Sequence, residues 1–153
     1  MDRFKMKYKY KQADSYVTFI PTSEEFNLIG TIKGRMIVAF DSNYLKYGFK
    51  ETKNFRGDIY FMYLIDSPSK LENLTNAYKL YYMAKYKGSL FHAGISTYPE
   101  VVIFATTYNK PEIEGFRNLS RGEWVKEVDA SEVEIIPIKE EIDLSKYLPQ
   151  EDK

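Results

Sequence analysis

Two apolar runs constrain this chain more than any other feature: Arg35-Met36-Ile37-Val38-Ala39-Phe40 and Asp58-Ile59-Tyr60-Phe61-Met62-Tyr63-Leu64-Ile65. Both are too short for an ordinary buried helix and rich in β-branched and aromatic side chains, which fit a pleated, packed surface. Both are expected to be buried strands, the second of them central in its sheet. Asn54 to Gly57 supplies the turn that leads into it.

Strand signals dominate the rest of the chain. Residues 4–11 alternate lysine with Phe, Met or Tyr, so a strand there shows lysine on one side and apolar rings on the other. A strand over 4–12 is expected to pair across Ala13-Asp14-Ser15 with Tyr16–Ile20. Thr22–Phe26 reads as a single helical turn with Ser23 as a possible cap. Further strands are expected within 46–53 and over 89–95 and 100–106. A long loop is expected over 108–123, then 124–128 and 133–138 closing the sheet as an antiparallel pair. The one long helix is read over 68–87: Ser67 as N-cap, Pro68 at the first helical position, Gly88 as the stop. Leu71, Leu74, Tyr78, Tyr81 and Lys85 fall on one helical face, with Tyr78, Tyr82 and Tyr86 in a row beside it. The expected fold is α+β, a mainly antiparallel sheet of about six to eight strands packed on that helix. A single domain spans 1–148, with a short terminal helix over 143–148 and a frayed tail at 149–153.

Composition excludes several functions. The chain has 153 residues, no cysteine and one histidine, His92. Disulfides, thiolate metal sites and an ordinary zinc centre are therefore not expected, nor are nucleases or phosphodiesterases that need paired histidines. No segment approaches the ~20 apolar residues of a membrane span, and no signal peptide is evident, so a cytoplasmic protein without membrane contact is expected. Only two glutamines, with abundant Lys, Glu, Tyr and Ile, match a thermophile bias; AT-rich coding would produce much the same. Net charge is zero, yet residues 1–90 hold 15 Lys/Arg against 9 Asp/Glu, and residues 91–153 hold 7 against 13.

That polarity and the 14 tyrosines direct attention to nucleic acid, which rewards cations at phosphates and aromatic faces at unpaired bases. The candidate contacts are Lys5, Lys7, Lys9 and Lys11, then Lys79, Lys85, Tyr86 and Lys87. A strand separates lysines from rings, so the N-terminal stripe cannot both grip phosphate and stack bases; it also fits an edge strand guarded by lysine.

Asp41 after a strand, followed by Glu51-Thr52-Lys53, resembles the PD-(D/E)xK nuclease pattern, although its proline is missing. The resemblance implies Mg²⁺ held by Asp41 and Glu51 with Lys53 placing the water, and Asp58 and Asp66 nearby. No other cofactor is expected. Phe91-His92-Ala93-Gly94 resembles the short His-x-Gly of ADP-ribosyltransferases, and His92 is the one side chain suited to proton transfer near neutrality. Gly122–Asp129 and Val133–Ile138 resemble the closing strands of PUA-like EVE domains, which implies an aromatic pocket around Trp124. The preferred expectation is a non-catalytic nucleic-acid-binding protein. The alternatives are the nuclease, a homodimer paired through a sheet edge, or an inhibitor presenting its acidic half to a protein partner.

Overall fold

The computed structural model describes residues 10–32, 34–97, 99–106 and 109–148, and these are mostly β. The strands belong to two antiparallel sheets, and among the described residues no long helix covers either. The chain falls into two compact units. One takes Leu80–Lys139 with the chain up to Ala13; the other takes Asp14–Lys79 with the chain from Glu140 onward.

The second of these units starts with a hairpin, β1 (Asp14–Phe19) against β2 (Glu24–Asn27). The segment expected to be a helical turn is therefore largely strand, and Ser23, at φ 57, belongs to the turn that joins the pair. A four-stranded sheet follows, ordered β3 (Ile29–Thr31), β4 (Gly34–Ala39), β6 (Ile59–Ile65), β5 (Lys50–Lys53). The two apolar runs are its central strands. Ile37 lies opposite Tyr63 and Ala39 opposite Phe61. All four point to the same side and are buried there with Ile65 and Phe49. Phe19 is fully buried among rings, with centroids 5.3 Å from Phe49 and 5.2 Å from Tyr63, edge-on as the ring quadrupoles favour. The Tyr63 hydroxyl donates to the Lys70 carbonyl at 2.8 Å and accepts from Asn73 at 3.2 Å, so its polar end is satisfied.

The 68–87 segment overturns the expected helix. The helix that Ser67 and Pro68 announce, α1 (Pro68–Leu71), lasts one turn, and the chain then becomes β7 (Leu74–Tyr86). Leu80, Tyr82, Ala84 and Tyr86 are the buried residues of its second half, a period of two that the helical spacing of Leu71, Leu74, Tyr78 and Tyr81 obscured. Tyrosine's preference for strands works in the same direction. Lys87 and Gly88 both have positive φ, 48 and 81, and Tyr86 pairs with Ser89. The presumed helix stop is thus the two-residue turn of a tight hairpin.

In the first unit β7 pairs with β8 (Ser89–Thr97), β8 with β9 (Glu100–Thr106), β9 with β11 (Glu123–Asp129) and β11 with β10 (Arg117–Ser120). Val101, Ile103, Val125, Val128, Phe91 and Phe116 are buried within it. The expected loop over 108–123 contains β10, whose four residues are all exposed and carry no alternation to announce a strand. β11 and β12 (Glu134–Glu141) are strands as expected, but they do not pair: β12 pairs with β7. The expected terminal helix is a 3-10 turn, Leu144–Tyr147. Residues 4–9 and the tail 149–153 lie outside the described residues, and no strand is assigned at 10–12.

Candidate functional site

Alternation in β4 and β6 leaves a second set of side chains on the side away from the core. Met36 lies opposite Leu64, Val38 opposite Met62, and Ile29 of β3 opposite Met36. Tyr60 continues the row on β6, and Phe40 follows one residue beyond β4. Met36, Val38, Tyr60, Met62 and Leu64 are only half-buried; Ile29 is 38% exposed and Phe40 82% exposed. The charge on this face is marginal, coming from Lys50 of the edge strand β5, opposite Met62; Thr52 lies opposite Tyr60. An antiparallel sheet with one face in water ordinarily alternates apolar with polar. Here both faces of the central strands are apolar, and the core accounts for one of them.

The edges are treated differently from the face. β5 reads Lys50-Glu51-Thr52-Lys53, β3 has three residues, and β10 starts with Arg117. Charge and shortness both discourage edge-to-edge pairing. No such protection interrupts the middle of the outward face.

Two polar clefts lie in the same unit, and the larger is internally compensated. One of about 480 Å³ sets Arg35, Lys79 and Lys146 against Glu140, Glu141 and Asp143. Asp143 caps the 3-10 turn there: its carboxylate accepts from the Ser145 hydroxyl and backbone N–H, which hold it below the usual carboxylate range. A smaller cleft of about 300 Å³ includes Tyr44 and Glu24. The Tyr44 hydroxyl donates to both Glu24 oxygens, at 2.5 and 2.6 Å, and this bond pushes the phenol up to about 12.

The residues singled out from sequence are dispersed. Lys5, Lys7 and Lys9 lie outside the described residues. Lys11 is exposed, and its carbonyl accepts from the Tyr82 hydroxyl. Lys79 lines the mixed-charge cleft of the second unit, whereas Lys85, Tyr86 and Lys87 sit at the β7–β8 hairpin of the first. Tyr86 is buried. Its hydroxyl accepts from Lys126 at 2.8 Å, which pulls the phenol below its ordinary range, so its ring does not form a stacking platform. Asp41 caps the 3-10 turn Ser42–Tyr47 by accepting from the Asn43 N–H at 2.8 Å. Glu51 and Lys53 are exposed on β5, opposite Phe61 and Ile59. Asp58 is tied to the 54–58 turn, accepting from Asn54, and Asp66 follows β6. Among the described residues no group of three or more His, Asp or Glu is placed to hold a metal ion. His92 is exposed on β8, opposite Phe104, with its ring 6.1 Å from that of Tyr81. Trp124 lies opposite Ala105 and Asn118, packed against the first unit's core, and its indole N–H has no partner among the described residues.

The outward face forms no contiguous motif, because its residues alternate with those of the core. Its signal was nevertheless present: a continuous apolar run in an antiparallel strand supplies twice the apolar surface that one core consumes. Among the described residues no helix is long and apolar enough to cross a membrane. No curated protein and no solved structure matches the chain. The model of the family described as uncharacterised conserved protein UCP033725 matches residues 8–145, and the chain belongs to that family.

Proposed function

We propose that this protein is a non-catalytic association module that works by having the outward face of β3–β4–β6–β5 covered by protein. The observation that carries this reading is the paired register Ile29–Met36–Leu64 and Val38–Met62, with Tyr60 and Phe40 beside it, apolar on the side away from the core. Contiguous apolar patches larger than a few hundred Å² are rare on proteins that act alone, and the largest patch on such a protein is often an interaction site. The cysteine-free sequence fits an intracellular setting for such a module. A photoreactive benzoyl-phenylalanine at Phe40, irradiated in the native cell, tests the reading, with the same group at Leu119 of β10 as the control. Protein adducts at Phe40 that are absent at Leu119 are the expected result. No adduct at Phe40, or the same adducts at both positions, would refute it.

A second reading, nucleic-acid contact through the basic N-terminal half, is favoured by the exposure of Lys11, Lys85 and Lys87. Because Tyr86 is buried, such contact would be made to phosphates rather than to bases. It predicts weak binding of DNA or RNA that falls steeply with salt. No binding at low salt would remove it.

A further inference from the structure

We infer that the occupant of the outward face is a second copy of this chain, packed sheet on sheet about a two-fold axis that runs along the strands. The inference rests on the association reading above and adds the identity and geometry of the partner. Three observations lead to it.

The first is shape. Two similarly twisted sheets stack with their strands roughly 30° apart and about 10 Å between them, so a pleated apolar face is matched well by its own copy. The second is size. Four strands about 4.8 Å apart, with central strands about six residues long, give a footprint of roughly 300–400 Å². Two such faces, with Phe40 projecting from each, come near the ~1,000 Å² at which an interface becomes specific. That extent lies at the lower limit for a specific interface, as expected of a reversible rather than a permanent dimer.

The third is charge. Among the described residues no charge stands in the middle of the face to select an oppositely charged partner, and Lys50 marks one margin. An axis across the strands would lay β5 on β5 and Lys50 on Lys50. An axis along the strands lays β5 on β3, whose outward Ile29 and Thr31 carry no charge. Lys50 can then rest its methylene stem on Ile29 and keep its ammonium in water. The same axis sets Val38 over Met62 of the second copy and Phe40 over its Tyr60, both apolar pairs.

The test is sedimentation equilibrium across a wide concentration range, on wild type, Met62→Lys and the exposed-site variant Phe40→Lys. The expected result is a wild-type mass that rises from one chain to two. Both variants should stay at one chain with an unchanged circular dichroism spectrum, and Phe40→Lys carries the comparison alone if Met62→Lys does not fold. Because the chain has no cysteine, orientation can be read by mixing Ile29→Cys chains with Lys50→Cys chains and adding a short bis-maleimide. A two-chain product is expected from the mixture and not from Lys50→Cys alone. Wild type at one-chain mass throughout, or variants that pair as wild type does, would overturn the inference. Equal cross-linking of Lys50→Cys alone would overturn the axis. One-chain mass together with adducts to a different protein at Phe40 would leave the association reading standing and remove the second copy. One-chain mass with no adduct would remove both.

Discussion

Met62 and Tyr63 are neighbours in β6 on opposite sides of the sheet, so substitutions at the two should differ sharply in effect. Tyr63 is 1% exposed, with its ring 5.2 Å from both Phe19 and Phe49. Tyr63→Ala removes a buried aromatic ring, worth roughly 3–5 kcal/mol in cores of this kind. It also strands the Lys70 carbonyl and the Asn73 amide that the hydroxyl satisfies, for about 1 kcal/mol more. The expected loss of roughly 4–6 kcal/mol would take a large part of the stability of a chain this size. At 2–4 °C per kcal/mol, the melting temperature should fall by roughly 10–20 °C. Met62→Lys places a charge on the outward face, where it stays solvated but lies opposite Lys50, and should cost about 1 kcal/mol, from strand propensity and like-charge repulsion. The assay is urea unfolding followed by far-UV circular dichroism, at protein concentrations low enough that self-association does not contribute. A Met62→Lys loss as large as that of Tyr63→Ala would mean the face is packed within the chain, and the reasoning from alternation would fail.

Three further outcomes follow from individual contacts. The Tyr44 phenol should titrate at about 12 and return toward its ordinary range in Glu24→Gln, read by tyrosine ring NMR. Since the folded value lies above the unfolded one, the stability it contributes is fully present below pH ~10 and is lost as pH rises toward the folded value. Asp143 should titrate below an ordinary aspartate and recover in Ser145→Ala. Its folded value is depressed, so its contribution is present above the ordinary aspartate range and fades as acid approaches the folded value; carboxylate NMR measures the shift. Gly88→Ala should destabilise the β7–β8 hairpin by roughly 1–2 kcal/mol through its positive φ of 81, with nothing near its Cβ to add a clash; thermal unfolding reads it.

How much of this was legible in the sequence depended on which physical signal was local. β4 and β6 could be read because their apolar character fills the whole segment, and β8, β9 and β11 because alternating or continuous apolar runs end at turn residues. β7 could not. Leu71 of α1 and its own residues 74, 78 and 81 imitate a helical stripe, and Asn76 at φ 51 interrupts the strand before the buried set Leu80, Tyr82, Ala84 and Tyr86 begins. Ser67 and Pro68 do start a helix, and nothing local to them shows that it ends after one turn. β2 and β10 have little burial pattern of their own and are specified by their hairpin partners. The candidate chemistry fared as isolated residues do. Asp41 has a local role as a cap, and Tyr86 is committed to Lys126. The outward face is a property of register, visible only once Val38 is known to lie beside Met62 and Met36 beside Leu64.

The most direct measurement is the exposure of the Met36 and Met62 methyl groups to a soluble paramagnetic agent in the protein in its working, associated state. With selectively ¹³C-labelled methionine, both methyls should be shielded from broadening in the associated protein and should become sensitive to the agent on dilution or in Phe40→Lys. Met36 and Met62 broadened equally in every state would show that nothing covers the face, and would contradict the account.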